Sequence, residues 1–329
     1  MQKKVIFSWI LSLILVAIIL SIIDVEKVIQ GILKIGLINF VFLSALYSVS
    51  FLFRALRWKS ILHPMTKISL KDSFLITNTG FFVNALLPAR TGEIARAYLL
   101  SKKKNLGKIK SFSTVLLDRI IDGLTLFLFF IFAVFLIEIP EEIKKILLIP
   151  AVIFIISFFF FLKPDKFKFI GRIFAKMFPS IKGKIKYIFE ETKQAGNVFY
   201  SEKKELGLIL IYSVLIWTIE SLVFYFTAQF IGIPLTLFHV FLLIVIVGFA
   251  TMIPSAPSYV GTFEAGFVLF FLAFGLNQNS AISMGILIHL IQTVVIMVLG
   301  LISIHKLNIS FKSISKINFN EIKNKIKGN

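Results

Sequence analysis

The chain has no cysteine in its 329 residues, which excludes disulfides, thiolate metal sites and cysteine nucleophiles. Charge is scarce: 16% of residues are charged, against about 25% in an ordinary soluble domain. Negative charge is scarcest, with 17 Asp and Glu facing 36 Lys and Arg, for a formal net charge of +19. The four histidines, His63, His239, His289 and His305, show no zinc-site spacing such as H-E-x-x-H, and no metal or other cofactor is expected. A P-loop is missing too. Neither Gly107-Lys108 nor Gly183-Lys184 has a glycine five positions earlier, so nucleotide-driven work is not expected.

What fills the chain instead is hydrocarbon. Hydrophobic residues make up 57% of it, phenylalanine alone contributes 38, and the mean hydropathy is +0.91. Soluble domains run at about 45–50% apolar, so lipid must solvate much of this surface. The basic residues lie between apolar runs and in the tail, as the positive-inside rule requires. Anionic headgroups are therefore the expected partner, and nucleic acid is not.

A membrane-crossing helix needs about 20 mostly apolar residues. Six runs qualify, near 5–23, 37–58, 112–137, 146–162, 206–229 and 281–304, and the chain reads as an all-α, polytopic transmembrane helix bundle. The first run starts Met1-Gln2-Lys3-Lys4 but lacks a small-residue cleavage site, which predicts a retained helix rather than a signal peptide. Lys102, Lys103, Lys104, Lys108 and Lys110 form an acid-free loop that belongs in the cytoplasm, whereas 138–145, with Glu138, Glu141 and Glu142, belongs outside. Loop 163–205 holds eleven Lys and Arg against five acids, and the tail after His305 holds six lysines and one glutamate, so both face inward. Ile170, Ile173, Phe174, Met177, Phe178 and Ile181 recur at helical spacing in that loop, the pattern of a basic amphipathic helix on the inner leaflet. The tail 306–329 repeats it with Phe311, Ile314, Ile317 and Phe319.

Two apolar segments do not fit a simple crossing. Segment 70–98 has basic flanks on both sides and must return to the face it left; segment 237–276 is broken by Pro254, Pro257 and Gly261. Each reads Pro, then Gly, then Glu at the start of a new helix: Pro88, Gly92, Glu93 and Pro257, Gly261, Glu264. Paired interrupted segments in opposite orientation point to two re-entrant hairpins, an inverted repeat and a site at the midplane.

Ionisable groups inside spans cost about 2.5–3.5 kcal/mol each on insertion scales, which makes them candidates for function. Glu220 lies deep in 206–229, with a structural hydrogen bond as the competing role. Asp118 and Asp122 are one turn apart and would repel if both were ionised, so compensation by Arg119 or a basic residue from another segment is expected, with a structural ion-pair staple near the interface as the competing role. Arg90 and Arg96 flank Gly92 and Glu93 in the first broken segment, where a half-helix N-terminus and a planar cation suit an anionic headgroup; an interface anchor is the alternative. Gly261 and Glu264 are their counterparts in the second. Arg54, Arg57 and Trp58 end the second span, and there the expectation is an interfacial anchor.

The runs Arg54-Ala-Leu-Arg57-Trp58, Asn84 to Tyr98 with its Leu-Pro-Ala-Arg-x-Gly-Glu core, Leu117-Asp118-Arg119-Ile-Ile-Asp122-Gly123, and Pro254 to Glu264 together resemble the flippase-like membrane proteins related to the lysylphosphatidylglycerol synthase transmembrane region. The likeness runs from about residue 5 to residue 305. It implies a multi-span bundle with re-entrant helices and, for the synthase relatives, translocation of a modified phospholipid. The synthases append a large aminoacyl-transferase domain; here a short lysine-rich tail follows, so lipid aminoacylation is not expected. The leading expectation is a non-enzymatic, passive or ion-coupled translocator of an anionic phospholipid or lipid-linked glycan. A polyprenyl-dependent glycosyltransferase using Asp24 and Glu26, and a non-transporting envelope-assembly subunit, are the alternatives.

The loop charges generate a direct test on a chain with no background thiols. Cysteines introduced at positions 103 and 184 should react with an impermeant maleimide only from the cytoplasm, and one at 141 only from outside; external labelling at 184 would reverse the orientation.

Overall fold

A computed structural model describes residues 24–88, 90–167, 202–253 and 255–309, with 169, 194–196 and scattered positions of the first run (10, 13, 14, 16–19 and 21). The expected span 5–23 lies largely outside these residues, and the amphipathic pattern from Ile170 to Ile181, the tail from residue 310 and Pro254 lie wholly outside them. The described residues form helices and no strand: α1 Val25–Leu33, α2 Gly36–Leu62, α3 Leu70–Leu86, α4 Thr91–Lys104, α5 Lys108–Leu136, α6 Glu141–Leu162, α7 Lys203–Phe230, α8 Leu237–Ala250, α9 Thr262–Ala273 and α10 Gln278–Lys306. Five of them, α2, α5, α6, α7 and α10, are long and apolar enough to cross a bilayer, and they fall on five of the expected spans. The short α1 is a helix that hydropathy did not anticipate; Asp24 caps it by accepting from the N–H groups of Glu26 and Lys27.

The molecule is organised for lipid. Phe135 is 81% exposed and Ile38 84%, while Arg57 is 0% exposed. Large apolar side chains stay exposed along the helices while a cluster of charged side chains is buried among them, as suits a protein solvated by lipid.

Side-chain pairs fix the helix directions. Phe42 of α2 meets Phe226 and Phe230 near the end of α7, and Phe53 meets Tyr212 near its start, so α2 and α7 run antiparallel. Trp58 near the end of α2 reaches Thr114 near the start of α5. In α10, Ser283 lies against Gly31 at the start and Gly300 lies against Phe82 near the far end. One end of the bundle therefore holds the end of α2, the start of α5 and the end of α10.

Both interrupted segments are helix–turn–helix hairpins. In the first, Ser69 caps α3 by accepting the N–H of Asp72 at 3.0 Å, and α3 stops at Leu87, which is extended (φ −122°, ψ 140°) because Pro88 follows. The chain re-enters helix at Arg90, which sits in the left-handed region (φ 55°) as the cap of α4. In the second, a turn containing the 3-10 segment Pro257–Tyr259 joins α8 to α9, and Gly261 caps α9 at φ 87°. Thus both second helices begin with a left-handed cap, a threonine and, at the third position, a glutamate. Close approach is built in on each side: a Cβ on Gly92 would stand 1.9 Å from the carbonyl oxygen of Gly80, and one on Gly266 would stand 2.9 Å from Cα of Val247.

At 12–17 residues, α3, α4, α8 and α9 reach about 18–26 Å, short of the roughly 30 Å of hydrocarbon. The first hairpin starts and ends beside the end of α2 and the start of α5; the second starts and ends beside the end of α7 and the start of α10. They enter from opposite ends of the bundle, and their tips meet. Ser258 Oγ donates to the carbonyl of Ala85 at 3.3 Å, and Arg90 Nη2 donates to the carbonyl of Thr251 at 2.8 Å.

Candidate functional site

Beside the tips lies a buried ion network. Asp118 and Asp122 sit one turn apart on α5, nearly without exposure. Arg57 of α2 bridges them: its Nε donates to Asp118 Oδ1 at 2.9 Å and its Nη2 lies 2.8 Å from Asp122 Oδ1. Arg119 lies 3.2 Å from each carboxylate, and Arg96 of α4 donates to Asp118 Oδ2 at 2.7 Å. Arg54 pairs with Glu220 of α7 and stands 3.7 Å from Asp122 Oδ2. Ser213 accepts from Arg57 at 3.2 Å, and the indole of Trp217 donates to Asp122 at 3.3 Å. Aromatic faces cover the guanidiniums, Trp58 at 3.9 Å from Arg96 and Phe81 at 5.2 Å from Arg54. Such stacking suits Arg, whose planar, weakly hydrated cation tolerates removal from water.

Between this network and the hairpin tips is a cavity of about 120 Å³. Arg54, Arg119, Asp122 and Glu220 line one side, Arg90, Thr251, Ser258 and Tyr259 the side of the tips, and His289, Gln292 and Thr293 of α10 the wall between. Its carboxylates are ion-paired to arginine, with Asp122 Oδ2 making no hydrogen bond among the described residues. Its arginines keep donors in hand: among the described residues, Nε and Nη1 of Arg54, Nε of Arg90 and Nε of Arg119 are buried without a hydrogen-bond partner. Around the cavity and network stand five arginines (Arg54, Arg57, Arg90, Arg96, Arg119) and five carboxylates (Glu93, Asp118, Asp122, Glu220, Glu264), so the cluster balances when His289 is neutral.

Of the residues singled out in the sequence, Arg90, Arg119, Asp122 and Glu220 line this cavity. Arg96, Gly92 and Glu93 line a smaller neighbouring one of about 10 Å³, and Asp118 lies behind in the network. Gly261 and Glu264 stand at the start of α9, where Glu264 Oε2 accepts the N–H of Gly261 at 2.8 Å and Oε1 is held by His289 Nδ1. The α4 start offers an anion less than expected: the N–H of Gly92 is already given to Asn84 Oδ1 at 2.6 Å. Asn84 also donates to Glu93 at 3.1 Å, so it caps the turn from both directions.

One expectation needs correction. Arg54, Arg57 and Trp58 are not interfacial anchors; all three are buried, because the carboxylates of α5 and α7 lie on the face they present inward. At the end of an apolar run, an anchor and a network member have the same sequence signature. His289 was missed because metal spacing was the wrong question for it; a lone histidine inside an apolar run was the available signal. Asn84, Tyr259, Gln292 and Thr293 carry no charge; Asn84 and Tyr259 fall in the motif runs but were given no role there, and nothing in the sequence set Gln292 and Thr293 apart.

Comparison with known proteins agrees across most of the chain. A family model described as the lysylphosphatidylglycerol synthase TM region matches residues 5–300. A UPF0104 membrane protein of Pyrococcus horikoshii is 28% identical over 307 residues, covering 86% of this chain and 91% of its own length. One of Methanocaldococcus jannaschii is 27% identical over 267 residues, covering 75% and 78%. One of Methanothermobacter thermautotrophicus is 24% identical over 274 residues, covering 76% and 79%. No solved structure matches the chain.

Removing one partner of a buried ion network strands the others, at about 3–5 kcal/mol. Arg57→Ala should therefore lower the melting temperature in detergent sharply, whereas Lys144→Ala, which breaks the exposed Glu141 pair, should leave it nearly unchanged. Adding Asp118→Ala to Arg57→Ala should cost less than the sum of the two single changes. An Arg57→Ala protein as stable as the unmodified one would contradict the network.

Proposed function

This chain belongs to the lysylphosphatidylglycerol synthase transmembrane region family, and we propose that it is a multi-pass translocator that carries an anionic amphiphile, a phospholipid or lipid-linked glycan, between leaflets of the cell membrane. One observation carries the reading: a cavity where two opposed hairpin tips meet, lined by arginines with unused buried donors. Guanidinium forks match the oxygens of phosphate, and removal from water strengthens that match. The acyl chains would remain against the apolar outer surface while the headgroup passes inside.

In this reading the hairpins are re-entrant. The first dips in from the cytoplasmic face and the second from the outside, with both chain termini in the cytoplasm, following the lysine distribution. Irregular backbone at membrane depth is tolerated where protein covers it. The bonds from Arg90 to Thr251 and from Ser258 to Ala85 give each turn that cover. The shared cap–Thr–x–Glu starts of α4 and α9 support an inverted repeat, and the cavity would be its midplane site. Glu220 is 17 residues from the start of α7 and 10 from its end, about 26 Å and 15 Å along the axis, which puts its pair with Arg54 well inside the span. Transport would be passive or ion-coupled. The glycosyltransferase alternative would draw on Asp24 and Glu26, and Asp24 is engaged as the cap of α1 and with Lys27 at 3.1 Å.

Arg90 is the residue through which to test this. In proteoliposomes carrying fluorescent phosphatidylglycerol, Arg90→Lys should slow leaflet transfer, because the charge stays but the fork is lost. Arg90→Ala should slow it about tenfold or more, the equivalent of about 1.4 kcal/mol. A folded Arg90→Ala protein that moves phosphatidylglycerol and other anionic lipids at the unmodified rate would end the assignment.

A further inference from the structure

His289 is a partly buried histidine with one nitrogen committed and the other not. Nδ1 is paired with Glu264 Oε1, and Glu264 is itself fixed by capping Gly261 through Oε2. An ionised carboxylate only accepts hydrogen bonds, so the pair keeps the Nδ1 proton on His289. Nε2 has no hydrogen-bond partner among the described residues, and His289 lines the cavity, with Phe263 4.8 Å from its ring. With Nδ1 so fixed, neutral His289 presents an acceptor lone pair at Nε2, which repels an anion. Protonated His289 presents an N–H donor and a positive charge, which attract one.

From this geometry we infer that His289 is a proton-coupling site: a phosphodiester anion enters the cavity together with one proton taken up at His289 Nε2, and the proton leaves when the anion leaves. The inference rests on the reading of the cavity as a phosphate site and adds its coupling ion. The charge balance supports it. Five arginines stand with five carboxylates, so a monoanion would unbalance the cluster, and protonation of His289 restores neutrality.

Other groups bear on it from each neighbouring element. Among the helices packed on α10, α9 contributes Glu264, α7 contributes Glu220, and α2 contributes Arg54 and Tyr47. Across the cavity stand Arg119 and Asp122 of α5, Arg90 of the first tip and Tyr259 of the second. The helices α1 and α3 also pack on α10 and put no titratable side chain on the cavity wall. Glu220, Asp122 and Glu93 are each paired to arginine, which leaves His289 as the ring with an open nitrogen on the cavity.

The test is titration calorimetry of the full chain in detergent, with dimethyl phosphate and dihexanoyl phosphatidylglycerol as ligands, both monoanions across the range used. Proton uptake is read from paired buffers of different ionisation heat. The expected result is that affinity falls about tenfold or more between about pH 5.5 and 8.5, with close to one proton taken up per ligand where His289 is neutral beforehand. His289→Gln should bind without proton uptake and with an affinity independent of pH. Binding of both ligands supports a site for the bare phosphodiester, and binding of the lipid alone supports a site that also needs acyl chains; the proton count applies to either. Unmodified protein that binds equally at both pH values without proton uptake would overturn the coupling and leave the phosphate site standing. Retention of the pH dependence in His289→Gln would also overturn it. Failure of the folded protein to bind either ligand at any pH would overturn both. Where His289→Gln fails to fold, His289→Asn carries the same test, and absence of proton uptake by the unmodified chain overturns the coupling without either variant.

Discussion

Two carboxylates one helical turn apart, inside an apolar bundle, are the constraint around which the rest is arranged. Asp118 and Asp122 cannot both be ionised in a low-dielectric interior unless cations reach them. The cations come from three helices: Arg57 from α2, Arg96 from α4 and Arg119 from α5 itself. Satisfying them draws α2, α4 and α5 together, and the Arg54–Glu220 pair adds α7. A cavity with arginine on its wall follows from that convergence, since guanidiniums have more donors than the carboxylates can use.

The hairpins supply the other wall. A helix that stops inside the bundle leaves carbonyl and N–H groups without intrahelical partners, and these need protein around them. Each tip meets that need partly through the other. Thr251 gives its carbonyl to Arg90 and Ala85 gives its carbonyl to Ser258, while Asn84 and Glu264 cap the starts of α4 and α9. The polar groups at the tips are thereby gathered in one place, facing the ion network across the cavity.

Much of the bundle was legible in the sequence because bilayer crossing is a one-dimensional property: about 20 apolar residues in a row say it. Five such helices stand where the runs predict them. The two interruptions were legible too, since Pro88 and the Pro257–Gly261 stretch forbid a continuous helix. Charges deep inside apolar runs, Asp118, Asp122 and Glu220, identified themselves. What a single sequence cannot display is which face of a helix points inward. Arg54 and Arg57 therefore read as anchors, although one helical face carries them to the carboxylates. The roles of His289 and Asn84 were hidden for a related reason: they depend on Glu264 and Gly92, partners brought in by the fold.

The proposed site would hold an anionic headgroup between the hairpin tips, inside the bundle. A cryo-EM map of the chain in nanodiscs containing phosphatidylglycerol tests it most directly. Phosphate density is expected in the cavity within hydrogen-bonding distance of Arg54, Arg90 or Arg119, with the acyl chains leading out to the lipid-facing surface. Phosphate density confined to the membrane surface, with the tips closed over a cavity that excludes lipid headgroups, would contradict it.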